Sequence, residues 1–132
     1  TAEIISRYLK NLQLIEAVAN DYDIMPVFVW QPIPLYQYDL SFHLFCDRFN
    51  KDAHRYWHQV YTYMAELSEA QPFSDNFLWL ADMQQDIQEP LYVDRYHYSP
   101  EMLAMMAQNI GDWLIAQKML DLETEWRVRS TE

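Results

Sequence analysis

The sequence predicts an α/β protein, specifically a partial α/β/α sandwich with a short parallel sheet flanked by helices. Three observations lead there. Three stretches carry apolar residues at helical spacing, two short unbroken apolar runs lie between them, and the two kinds of segment alternate along the chain.

Residues 2–20 place Ile4, Ile5, Tyr8, Leu12, Ile15, Val18 and Ala19 three and four apart, one face of a helix, with Glu3 and Arg7 paired on the other side. Asp21, Tyr22 and Asp23 break the pattern. Val27–Trp30 is an apolar run fenced by Pro26 and Pro32. Continuous rather than alternating apolarity suits a strand covered on both faces, as in a parallel sheet. Residues 32–47 have prolines and aromatics but no period, and are read as a long loop. A second helix is expected over about Asn50–Ala70, with Tyr56, Val60, Tyr63, Met64 and Leu67 on one side. Gln71–Asn76 reads as a turn and Phe77–Leu80 as a second buried strand. At the last helix Ser99 supplies a capping oxygen, Pro100 suits the first helical position, and Glu101 suits the positive end of the dipole. Met102, Leu103, Met106, Ile110, Trp113 and Leu114 form its stripe.

One domain over residues 1–120 and a charged tail over 121–132 are expected. Two strands are too few for a stable sheet, and the chain opens at Thr1 inside an amphipathic pattern. An N-terminal half of the same domain is therefore expected upstream.

Composition narrows the chemistry. Nine Lys and Arg against 20 Asp and Glu leave a net charge of −11, and no basic cluster is present to displace counterions from nucleic acid or an anionic membrane. Gly111 is the only glycine, so the chain holds no Walker loop, dinucleotide fingerprint or G-x-S-x-G elbow. The lone Cys46 excludes an internal disulfide and a cysteine-based zinc site. No apolar run approaches the ~20 residues of a membrane span.

Tyr92-Val-Asp-Arg-Tyr-His-Tyr-Ser-Pro100 carries the chemistry. Asp94 and His97 lie three apart in a short loop that ends at a helix start, so their side chains can converge. The carboxylate would accept the Nδ1 proton and leave Nε2 free to take a proton from a hydroxyl, the base-and-orienter half of a Ser-His-Asp triad. A structural Asp-His pair steadying the helix start is the competing reading. Loops beyond the carboxyl ends of parallel strands are also where open α/β sheets bind ligands. Gln31 leaves the first strand at that edge, with a donor and an acceptor to offer a substrate. A rigid Pro-defined strand exit is its alternative.

His54 and His58 share a helix face at a metal-chelating spacing, but Arg55 stands between them and no third ligand is evident, so no metal site is assigned. His43 is read as a packed or surface histidine. Asp82 and Asp86 are read as solvated surface. No serine of the chain lies in an elbow, and helix capping accounts for Ser99.

The stretch Val93-Asp-Arg-Tyr-His-Tyr-Ser-Pro-Glu-Met102, with the helix after it, resembles the last conserved block of SGNH (GDSL-type) hydrolases, in which a D-x-x-H pair precedes the C-terminal helix. The rest of residues 1–119 looks like the C-terminal half of that flavodoxin-like fold. The resemblance implies ester hydrolysis through an acyl-serine, with His97 as general base and Asp94 as its orienting acid. It implies a small-molecule ester substrate, an acylated saccharide or lipid included, and no metal or organic cofactor. The family's serine, and the Gly and Asn of its oxyanion hole, belong to upstream blocks that this chain does not contain. Met102-Leu103 stands where the family has Gly-Asn after the Pro-Glu. The alternative is a complete non-catalytic α/β module that binds a protein or saccharide.

Overall fold

The computed structural model describes residues 1–120. The charged tail expected over 121–132 lies outside the described residues. The elements run α1 (Ala2–Asp21), β1 (Phe28–Trp30), α2 (Lys51–Ala70), β2 (Phe77–Trp79) and α3 (Pro100–Ala116), with 3₁₀ turns at Leu40–Phe42 and Cys46–Arg48 in the long loop. The chain is thus α/β, and β1 and β2 pair in parallel with Phe28 opposite Phe77 and Trp30 opposite Trp79.

Helix α2 is the crossover that a parallel pair requires. Asn50 starts it by accepting the Asp52 N–H at 2.7 Å. Its inner side is Val60, Tyr61 and Met64, all buried, while Tyr56 is exposed. The first core lies between α1, α2 and one face of the sheet, where Ile5, Val60, Tyr61 and Met64 meet Tyr8, Trp30, Phe77 and Trp79. Trp30 and Trp79 stack at 6.2 Å and 5° across the register pair, and Tyr8 meets Trp30 edge-on at 5.0 Å. Such aromatic pairs add about 0.5–1.5 kcal/mol each beyond their buried area.

Two expectations change here. Every residue of both strands is half-buried rather than covered on both faces. Helices α1 and α2 cover the face that carries Trp30, Phe77 and Trp79, whereas Val29 and Leu78 on the other face belong to neither core. On α1, Ile5 and Ala19 are buried, but Ile4, Ile15 and Val18 of the predicted stripe are exposed. The apolar arc of α1 is wider than the arc that α2 and the sheet cover.

A second core joins α3 to the loops. Met102 and Met106 pack with Tyr38, Leu91 and Tyr92. The start of α3 is as the sequence predicts: Ser99 Oγ accepts the Met102 N–H at 3.2 Å, and Pro100 occupies the first turn. No described helix is long and apolar enough to cross a membrane.

Candidate active site at the Asp94–His97 loop

The segment from Tyr92 to Ser99 is a tight reversal closed by an antiparallel bridge between Tyr92 and Tyr98. Val93 N–H donates to the His97 carbonyl at 2.9 Å, and Ser99 N–H to the Leu91 carbonyl at 2.8 Å. Asp94 fills the turn from inside. Its Oδ1 accepts the Tyr96 N–H at 2.8 Å and the His97 N–H at 2.9 Å, the local bonding that suits Asp to turns. Its Oδ2 lies 2.6 Å from His97 Nδ1. The D-x-x-H spacing therefore does bring the two side chains together.

The protonation pattern follows from that geometry. An ionised carboxylate only accepts, so the proton between the pair sits on Nδ1, and the neutral ring presents Nε2 as an acceptor. The Tyr96 and His97 N–H groups, followed by the His97 ring, hold the Asp94 carboxyl well below the usual carboxylate range. The His97 side chain is 81% exposed and that of Asp94 52%, so a reacting group can reach the imidazole. Among the described residues, no serine hydrogen-bonds to His97; Ser99 is occupied as the cap of α3.

Buried anchors fix the loop to the rest of the domain. Tyr98 OH donates to the Pro32 carbonyl at 2.7 Å, which ties the loop to the carboxyl end of β1. Gln31 sits next to that anchor: its side chain is exposed, and its carbonyl accepts from Tyr61 OH at 2.9 Å. Gln31 thus adjoins the point where the loop is anchored, and the depression at His97 is lined by Arg48, Asp94, Arg95 and Tyr96 without it. Tyr92 OH donates to Gln84 Oε1 at 2.5 Å, and Gln84 Nε2 donates to the Ile33 and Tyr36 carbonyls, each at 2.7 Å. Gln84 is fully buried, and these bonds engage both ends of its amide. Sequence reasoning missed it, because a Gln between Asp82 and Asp86 reads as surface.

His43 lies beneath the loop. It is buried, stacks on Tyr92 at 5.4 Å, and meets Phe49 edge-on at 4.9 Å. Its Nδ1 accepts the Phe45 N–H at 3.0 Å, so the neutral ring carries its proton on Nε2, which has no hydrogen-bond partner. Burial pushes its pKa below the ordinary 6.5, against the opposing pull of the Arg95 carbonyl and the Asp94 carboxylate. Of the two readings of His43, the packed one holds.

His54 and His58 stack with ring centroids 6.3 Å apart, and no group of three His, Cys, Asp or Glu suited to a metal occurs among the described residues. Asp82 and Asp86 are exposed, with Asp82 accepting from Trp79 Nε1 at 2.7 Å.

Comparison of the chain with models of known families, with curated proteins and with solved structures gives no match.

Proposed function

We propose that this chain is the C-terminal part of an SGNH-type ester hydrolase with a partial α/β/α sandwich fold. In this reading it supplies the base and the orienting acid of a Ser-His-Asp triad. The observation that carries it is the Asp94–His97 pair: a carboxylate held ionised by backbone N–H groups, hydrogen-bonded to Nδ1, with Nε2 turned toward solvent at the carboxyl end of a parallel sheet. The N-terminal half of the same domain brings the serine and the oxyanion donors.

His97 Nε2 takes the proton of the serine hydroxyl as its oxygen attacks the ester carbonyl. The tetrahedral intermediate collapses, the C–O bond to the alcohol breaks, and the imidazolium returns the proton to the departing alkoxide. A water then gives its proton to His97 and its hydroxyl to the acyl-serine. The carboxylic acid leaves, and the proton goes back to the serine. Asp94 stabilises the imidazolium at both stages without being protonated itself. Gln31, beside the Pro32 anchor, lines the substrate pocket. The substrate is a small-molecule ester, an acylated saccharide or lipid included.

The coding sequence upstream of Thr1 and a fluorophosphonate probe test this together. A serine block upstream, labelled by the probe in the protein that carries it, is expected. His97→Ala should abolish labelling and lower esterase turnover by at least ~10³-fold. An upstream frame without that serine, or turnover unchanged in His97→Ala, overturns the hydrolase reading and leaves a non-catalytic module with a structural Asp-His loop.

A further inference from the structure

Two arginines flank His97 in a chain whose charge is −11. Arg48, Asp94, Arg95, Tyr96 and His97 line one open depression. The Arg48 guanidinium lies 4.9 Å from the centre of the Phe45 ring, and that of Arg95 lies 5.2 Å from the centre of Tyr96. Arg95 Nη1 also donates to the Arg48 carbonyl at 3.4 Å. Among the described residues, ring faces and a backbone oxygen hold the two groups in place. The ion pairs among the described residues are Arg7–Glu3, Arg55–Asp52 and His97–Asp94, and neither Arg48 nor Arg95 takes part in one. Asp94 shares their depression, yet its oxygens are already engaged by the Tyr96 and His97 N–H groups and the His97 ring.

In an acidic molecule an anion is repelled almost everywhere, so two arginines at one site that form no ion pair among the described residues set where it lands. Guanidinium groups match the fork of an oxyanion, and exposure on both leaves them reachable. We propose that Arg48 and Arg95 form an oxyanion subsite beside His97, and that the ligand is an anionic ester bearing a carboxylate or phosphate close to its ester carbonyl. The word ester rests on the hydrolase reading; the oxyanion subsite does not.

The test uses the 132-residue chain, monomethyl succinate and inorganic phosphate as probes, and dimethyl succinate as the neutral control. Binding is followed through the NMR signals of the His97 ring and the two guanidinium groups. Both anions should shift these signals saturably, and added salt should weaken binding. Dimethyl succinate should give no saturable shift. Arg48→Gln with Arg95→Gln should weaken anion binding about 5-fold or more, while Arg48→Lys with Arg95→Lys recovers part of it. The Tyr96 and His97 amide signals report that the loop is intact in each variant. No saturable shift with either anion, an equal shift with the neutral ester, or unchanged binding in the Gln variant overturns the proposal. A response to phosphate alone assigns the charge to a phosphate ester, and a response to monomethyl succinate alone to a carboxylate ester. Anion binding without fluorophosphonate labelling of the serine-bearing protein removes the hydrolase reading and leaves the subsite. Labelling without anion binding does the reverse.

Discussion

Asp94 and His43 both bear on one loop, and both make its order depend on pH. The folded state holds the Asp94 carboxyl below its ordinary 3.8, so its contribution is present above that value and is lost as pH falls toward the folded pKa. His43 is also shifted down, from 6.5, but as a base: the folded state prefers it neutral. Its contribution is complete above 6.5 and declines as the unfolded chain takes up a proton that the buried ring resists. Protonated Nδ1 would also point a second donor at the Phe45 N–H. The loop should therefore loosen in two stages on acidification, the first below about pH 6.5 and the second below about 3.8. Exchange rates of the Tyr96 and His97 amides across that range are the measurement. His43→Phe should remove the first stage and keep the second, and a first stage that survives the substitution would exclude His43 as its cause. At this scale the sequence was legible where bonding is local. Asp94, His97 and Ser99 act within three residues of themselves, so spacing alone located them. Gln84 and His43 are defined by partners such as Tyr36, Tyr92 and Phe49, and no short window shows those.

The helices show which sequence signals carry and which do not. Their starts are written in side chains, Asn50 for α2 and Ser99 with Pro100 for α3, and the structure places both starts there. Their ends are not. After α1, Ile24 N–H reaches back to Ala19 and Asp23 N–H to Asn20. After α3, Met119 N–H reaches Leu114 and Lys118 N–H reaches Ile115. Each is a Schellman closure, which ordinarily uses glycine at its left-handed position. Here Asp23 and Lys118 hold that position, at φ 53° and 57°. The only glycine instead sits inside α3, where a methyl group at Gly111 would meet nothing within 4 Å. Gly111→Ala should stabilise the chain by about 1 kcal/mol, because glycine costs that much in a helix interior. Lys118→Gly should add about 1 kcal/mol by relieving a left-handed side-chain residue. Denaturant midpoints of the two single variants and the double variant read both effects. The sites lie at different points of the helix, so near-additivity is expected. A fall in midpoint for Gly111→Ala would mean that a neighbour closes on that side.

For the whole molecule, apolar surface and unpaired backbone coincide at the two-stranded sheet. The strand–helix–strand order was enough to anticipate a parallel pair, because strands joined through a crossover helix run the same way. The apolar runs could not tell how many faces are covered, since Val29 and Leu78 read as core residues whether or not a layer lies over them. Each strand of the pair has an outer edge, and the ladder identifies the one on β1. Phe28 donates to Asn76 at 2.8 Å, and Trp30 accepts from Leu80 at 2.9 Å. Bonding in a parallel ladder alternates, so the N–H and C=O of Val29 point away from β2. An unpaired edge of this kind templates another strand, and it adjoins a sheet face that neither core covers. The chain by itself should therefore associate as its concentration rises, which sedimentation or light scattering would register. Val29→Pro should weaken that association by closing the β1 edge and leave cooperative unfolding in place, because the N–H it removes serves no ladder bond. Trp30→Pro removes a residue on the bonded side and the Trp30–Trp79 stack, and should abolish folding. A wild-type chain that stays monomeric at high concentration would mean that the edge is already protected, and the case for a missing half of the domain would fall with it.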